Sequence, residues 1–298
     1  MERKTFLKNT ALCAIAVSAS GFIRFDGERY TGDCATTSDI LGPFYRPGSP
    51  VRSDLAMTGS TGTPLQLTGK VLHENCRDPF SNARVELWHC DEKGVYDNAS
   101  PGFNYRGTTF TNAKGDYVFK TILPVPYEIG NGISRPAHFH MMITAAGYQP
   151  LVTQLYFTGD AYIAKDAYAS STQAKSRILT VRANQEGKQQ VVFNVGMSKK
   201  LPVEPASLDR LAGTYIDEKD PKISLVLFKN DNRLWLQNEV FGEDFEFVGD
   251  NRFQTPGMPA GHFEKLHFEL LPTGITQLMY ERQGEDGVKR TNVLMKKS

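Results

Sequence analysis

The sequence predicts an all-β protein in two parts, a β-sandwich followed by a small β domain. Short runs rich in β-branched and aromatic residues, bounded by turn residues, recur along the chain. The 298 residues exceed a typical single domain of about 100 to 200 residues, and the 40% apolar content is enough to bury more than one core. A polar linker with two prolines, Pro202 and Pro205, interrupts the pattern, which then restarts. The expected boundaries are an export segment at 1–21, the sandwich at 34–197, the linker at 198–207 and the second β domain at 208–298.

In chain order, Arg3, Lys4, Phe6, Leu7 and Lys8 precede an apolar run over 11–19 that ends in small residues. This reads as an export signal too short to span a membrane. It is similar to a twin-arginine signal with Lys4 in place of the second arginine, so a periplasmic or extracellular location is expected. Cys13 follows Leu12, where a lipidation site needs a small residue. Three further cysteines, Cys34, Cys76 and Cys90, permit one disulfide in an oxidising compartment, and Cα separation decides which.

The runs 65–71 and 83–88 alternate in character as strands do. Residues 111–116 supply a hairpin turn before 117–119, and 178–181 with 190–195 flank 184–188 as a closing hairpin. Beyond the linker, 211–215, 224–228, 234–237 and later segments around Phe245, 263–271 and 276–280 continue the rhythm. The net charge of +1 gives no field to attract nucleic acid or an anionic membrane.

The chemistry concentrates at Arg135-Pro136-Ala137-His138-Phe139-His140. On a strand, residues i and i+2 share a face, so both imidazoles aim at one place. Two histidines are too few for a transition-metal site, and two tyrosines in turn settings, Tyr96 and Tyr127, are the candidate partners. Taken singly, each tyrosine reads as an ordinary half-buried aromatic.

Residues 42–45 (Gly-Pro-Phe-Tyr), 88–91 (Trp-His-Cys-Asp), 94–96 (Gly-Val-Tyr), Arg106-Gly107, Thr111-Asn112, 115–117 (Gly-Asp-Tyr), 124–127 and 135–140 together resemble the intradiol ring-cleavage dioxygenases. The resemblance covers about residues 34–195, and the ordered combination is far more specific than any piece of it. It implies a prealbumin-like β-sandwich and a non-haem Fe(III) held by Tyr96, Tyr127, His138 and His140. It also implies a reaction in which O2 opens a catechol-type ring between its two hydroxylated carbons to a cis,cis-muconate-type diacid. Tyr127 would be displaced by substrate, Arg135 would stabilise charge on it, and Gln154 is a further candidate beside Arg135.

Two phenolates, with a free pKa near 10, need a hard, highly charged ion to deprotonate them at neutral pH. Zinc favours Cys, His and carboxylate ligands, and a 2-His-1-carboxylate iron site would need Asp or Glu. The catechol 1,2-dioxygenase subgroup carries a helical N-terminal dimerisation segment, whereas only residues 22–33 separate the export signal from the catalytic region here; homo-oligomerisation is left open. The second domain resembles small lipocalin-like β domains and shows no catalytic constellation. The competing reading is a noncatalytic prealbumin-like binding module, in which the four side-chain tips would have no reason to meet; a zinc hydrolase built on His138 and His140 lacks an obvious third ligand.

Overall fold

The computed structural model describes residues 35–199 and 205–297 except positions 58, 131, 231, 232, 260 and 285. It also describes the backbone of three short antiparallel strands, β1 (Val17–Ser18), β2 (Gly21–Phe25) and β3 (Tyr30–Gly32). The expected export segment, Cys13 and Cys34 lie outside the described residues except for the backbone of β1 and the first position of β2.

Two five-stranded sheets form the sandwich. The first, in order β12-β11-β10-β5-β6, contains β5 (Arg84–Trp88), β6 (Arg106–Phe110), β10 (His138–Thr144), β11 (Leu151–Phe157) and β12 (Ile178–Leu179). The second runs β13-β14-β4-β15, with β7 also paired to β4; it contains β4 (Pro64–Leu72), β7 (Asp116–Ile122), β13 (Arg182–Ala183), β14 (Gln189–Val192) and β15 (Val195–Gly196). A separate hairpin, β8 (Tyr127–Gly130) and β9 (Ile133–Arg135), pairs Tyr127 with Arg135.

The period-2 pattern explains the packing. On β10, Phe139, Met141 and Ile143 enter the core between the sheets with Leu65, Leu67 and Val71 of β4 and Val85 and Leu87 of β5. The alternate residues His138, His140 and Met142 are as fully buried, on the opposite face. β10 is flanked on both sides by ladders, pairing His140 with Trp88 and with Gln154. A strand buried on both faces has no freedom to slip register.

Three local expectations need correction. The turn at 111–116 forms, with Gly115 N donating to Asn112 O, but it joins β6 of one sheet to β7 of the other and is no hairpin. The run 178–181 splits: Ile178 and Leu179 pair parallel with β11 in the first sheet, whereas Arg182 and Ala183 close the hairpin with β14 in the second. Turn residues signal a change of direction, not which sheet receives the next strand. Tyr127, expected in a turn, opens β8.

The linker gives way to a short helix, α1 (Pro205–Leu211), and then to a closed antiparallel barrel. Its strands are β16 (Gly213–Asp217), β17 (Ser224–Asn230), β18 (Arg233–Leu236), β19 (Glu243–Gly249), β20 (Arg252–Gln254), β21 (Phe263–Leu270), β22 (Thr276–Gln283) and β23 (Lys289–Lys296). Each pairs with the next, and β23 returns to β16. The interior is filled by side chains that include Tyr215, Leu227, Phe245, Phe268 and Leu278, with Leu208 of α1 packed against them. Cys76 is disulfide-bonded, and Cys90 is a buried free thiol. No helix among the described residues is long and apolar enough to cross a membrane.

Candidate metal centre

The face of β10 that carries His138 and His140 is covered by the loop holding Tyr96 and by the β8–β9 hairpin. Asp91 shapes that loop, its Oδ1 accepting from the amides of Lys93 and Val95. Gly94 follows at φ +81°, and a Cβ there would come within 2.8 Å of Tyr127 Cβ. Glycine is therefore what lets the two tyrosine-bearing segments approach.

The tips converge. Tyr96 Oη lies 3.3 Å from His138 Nε2, which lies 3.1 Å from His140 Nε2. The Tyr127 ring centroid is 5.5 Å from that of Tyr96 and 5.6 Å from that of His138. Donors each about 2.1 Å from one ion stand roughly 3 Å apart, so the spacing matches a shared cation. His138 Nδ1 is 2.6 Å from the carbonyl of Pro136, a contact that only an Nδ1–H can make favourable, and this leaves the Nε2 lone pair facing the site.

Burial determines the protonation states. It pushes His138 down to about 3 and His140 well below its usual range, with the neighbouring cations adding to the effect, so both imidazoles are neutral ligands at any physiological pH. Burial also raises both phenols, Tyr96 further because Tyr127 stands beside it. Two buried phenols resist ionisation unless a strong cation compensates, so this donor set suits a hard ion of high charge. Among the described residues no cluster of three or more His, Cys, Asp or Glu is arranged to hold a metal.

Arg135 is 8% exposed, at the edge of the site. Its Nε donates to Asp166 Oδ2 at 2.5 Å, its Nη2 donates to Gln154 Oε1 at 2.9 Å, and its guanidinium lies over the Tyr168 ring. Burial alone would lower its pKa, but Asp166 together with Tyr156, Tyr127 and Asp39 outweighs this and the charge is retained. Gln154 is fully buried and donates through Nε2 to Ile40 O while its Oε1 accepts from Arg135, so it orients that guanidinium; on the sheet it pairs opposite His140.

The sequence reading missed the groups behind Arg135. The Tyr156 hydroxyl lies 2.9 Å from Asp39 Oδ2 and 3.2 Å from Gln154 Oε1, and Asp39 is ion-paired to Arg177. Asp39 and Arg177 come from distant segments, and no local pattern links them. His89 is held between Cys90 O and Thr121 Oγ1, away from the centre. His73 contacts the Tyr148 hydroxyl.

A cleft of about 930 Å³ opens onto the centre, lined by Pro43, Phe44, Val95, Tyr96, Tyr127 and Arg135 among others. Phe44 stacks on Tyr96 at 4.3 Å between ring centroids.

Comparison with known proteins agrees with this architecture. A family model described as Dioxygenase matches residues 40–199; the chain belongs to that family. The chlorocatechol 1,2-dioxygenase of Rhodococcus opacus is 35% identical over 155 residues, covering 44% of this chain and 60% of that protein. Catechol 1,2-dioxygenase 2 of Acinetobacter lwoffii is 34% identical over 150 residues, covering 44% and 54%. The chain thus spans little more than half the length of these relatives. Among solved structures, the hydroxyquinol 1,2-dioxygenase of Pseudomonas putida superposes with a TM-score of 0.51 at 25% identity, over 57% of this chain and 68% of that one.

Proposed function

We propose that this chain is a non-haem Fe(III) intradiol dioxygenase that opens the ring of a catechol-type aromatic between its two hydroxylated carbons. The observation that carries the reading is the convergence of Tyr96 Oη, His138 Nε2 and His140 Nε2, with Tyr127 beside them, at the end of a cleft. A binding module would have no reason to spend three buried polar side chains and a half-buried fourth on one point. The named relatives, which act on catechol, chlorocatechol and hydroxyquinol by their names, support the substrate class.

Ferric iron, when bound by Tyr96, Tyr127, His138 and His140, supplies a Lewis acid and an electron acceptor that together make a catecholate reactive toward O2. The protein's own groups do the rest. Tyr127 is less buried than Tyr96 and lies on the two-stranded hairpin at the cleft, so it is the phenolate free to leave and to take a substrate proton on Oη. Tyr96, His138 and His140 are locked by burial on all sides. Phe44 and Pro43 form an apolar wall that orients an aromatic ring and limits water. Arg135, held by Asp166 and Gln154, presents a fixed positive charge to oxygens that become more negative during reaction.

We further propose a location outside the cytoplasm, on the export-signal pattern of residues 3–21 and the disulfide at Cys76. Mass spectrometry of the protein recovered from its host, finding the chain to begin near residue 22 outside the cytoplasm, tests that part. The deciding test of function is the visible spectrum and metal content of the purified protein before and after anaerobic addition of catechol. A tyrosinate-to-iron band that shifts with catechol and weakens in Tyr127→Phe is expected. A colourless, iron-free protein after iron loading would overturn the proposal.

A further inference from the structure

A side chain of the barrel joins the apolar cluster that packs behind the metal centre. Trp235 of β18 is 1% exposed, although it projects from the outside of the barrel. Its strand neighbours Leu234 and Leu236 point into the barrel interior, so Trp235 faces the sandwich. There it joins a cluster with Leu41, Tyr45, Trp88, Tyr96, Met142 and Val152.

Within that cluster the rings form a continuous row. Trp235 stacks on Tyr45 with centroids 5.6 Å apart and an interplanar angle of 27°. Tyr45 meets Trp88 edge-to-face at 5.1 Å, and Trp88 lies parallel to the His140 ring at 5.1 Å and 6°. Gly42 also lies against His140, whose Cε1 would stand 3.0 Å from a Cβ there. His140 Nδ1 has no hydrogen-bond partner among the described residues, in contrast to His138 with its Pro136 carbonyl. The orientation of His140 is therefore set by the Gly42 backbone and Trp88 packed against it and by its Nε2 contact with His138, with no hydrogen bond holding Nδ1 from behind.

The barrel is seated firmly enough to serve as a backstop. Arg233, beside Trp235, is buried and bonded to both Asp244 and the carbonyl of Pro150 in the sandwich. At a second point the barrel's Gly257 lies so close to the Asp39 backbone that a Cβ would come within 2.2 Å. Asp39 belongs to the network that ends at Arg135.

We propose that Trp235 is a positioning residue for the metal ligand His140, acting through Tyr45 and Trp88, so that the C-terminal barrel is a working part of the active site. The proposal rests on the ferric reading above. The Trp235 ring keeps Tyr45 upright; Tyr45 in turn presses Trp88 flat on His140. A side chain of similar bulk without a ring face would let that row relax.

The test uses the full chain carrying Trp235→Leu, Trp235→Phe or Tyr45→Leu, with Leu278→Ala inside the barrel as a control of matched thermal stability. Three quantities are read: the energy of the tyrosinate-to-iron band, the rate of iron release to a chelator, and the His140 ring Hε1 resonance in the metal-free protein. Trp235→Leu and Tyr45→Leu are each expected to move the resonance and the band and to speed iron release roughly 3- to 10-fold. That is below the 10- to 100-fold typical of a direct ligand neighbour, because the contact is indirect. Trp235→Phe restores most of the effect, and Leu278→Ala moves none of the three. Unmoved readouts in both ring-deleting variants, or equal changes in Leu278→Ala, overturn the proposal. If the parent chain takes up no iron, the functional reading fails instead, and the His140 resonance alone still decides whether Trp235 positions that ring.

Discussion

In the sandwich, β10 turns Phe139, Met141 and Ile143 into an apolar core and His138 and His140 into a second, polar interior; in the barrel every strand has a single interior to fill. The sandwich buries Asp39, Arg135, Gln154 and Arg177 completely or nearly so and connects them with hydrogen bonds, whereas the barrel core is aliphatic and aromatic, its buried Arg233–Asp244 pair bonded to the sandwich at Pro150 and Glu243 and Glu264 near one part of it. Burying polar groups is costly unless each finds a partner. A connected buried network at the end of a cleft is thus the signature of a working site, and its scarcity in the barrel fits a domain that acts through its surface.

The comparison breaks most sharply at the ligands. His140→Ala is expected to abolish iron retention and to lower ring cleavage by roughly 1000-fold or more, beyond the 10- to 100-fold typical of groups behind a ligand, as measured by metal analysis alongside O2 uptake. Next comes Arg135→Ala, which should keep the iron and its colour while kcat falls about 100- to 1000-fold, as for the loss of one fixed charge-stabilising group; equal losses of iron and rate would make Arg135 structural instead. In the barrel, Leu278→Ala should reverse the pattern, costing about 2–5 kcal/mol in chemical denaturation with the iron band unmoved.

The smallest expected effect is also the most discriminating, because one buried group in each half, His89 and Glu264, responds to pH with opposite sign. Burial lowers His89 of the sandwich from 6.5 to about 4, so between those values the folded state binds fewer protons than the unfolded one. Stability contributed there rises with pH through that window. Burial, with Glu243 adding, raises Glu264 of the barrel from 4.5 to about 7, so the folded state binds more protons and stability falls as pH rises from 4.5 to 7. Each effect is on the order of 2 kcal/mol. Urea midpoints between pH 4 and 8 should show His89→Asn flattening the acid limb and Glu264→Gln flattening the neutral one. Identical profiles in parent and variants would dissolve this distinction between the halves.

Strand alternation and the His138–His140 spacing were legible because both are encoded within a few residues. Tyr96 and Tyr127 became legible only as part of an ordered set of motifs, since either alone looks like a half-buried aromatic. The partners of Arg135 were illegible: Asp39, Asp166 and Tyr156 lie on separate segments and are joined only by the sheet order. The same holds for the turn at 111–116, whose chemistry is identical whether it closes a hairpin or passes between sheets. Helix α1 was hidden by Pro202 and Pro205, which read as linker residues although proline is well tolerated at the start of a helix. Trp235 gave no sign of its role, because alternation puts it outside the barrel and only the docked sandwich makes that position interior.

Because β16 to β23 close on themselves, among the described residues the backbone ladders stop at the boundary between the two halves, and what crosses it is side chains: Trp235, Arg233 and Gln149 against Glu246. During synthesis, β14 and β15 can complete the sandwich on β4 before any barrel strand exists. Wherever the sandwich folds as it is made, its ligand set is assembled before the barrel can pack Trp235 into the cluster behind it.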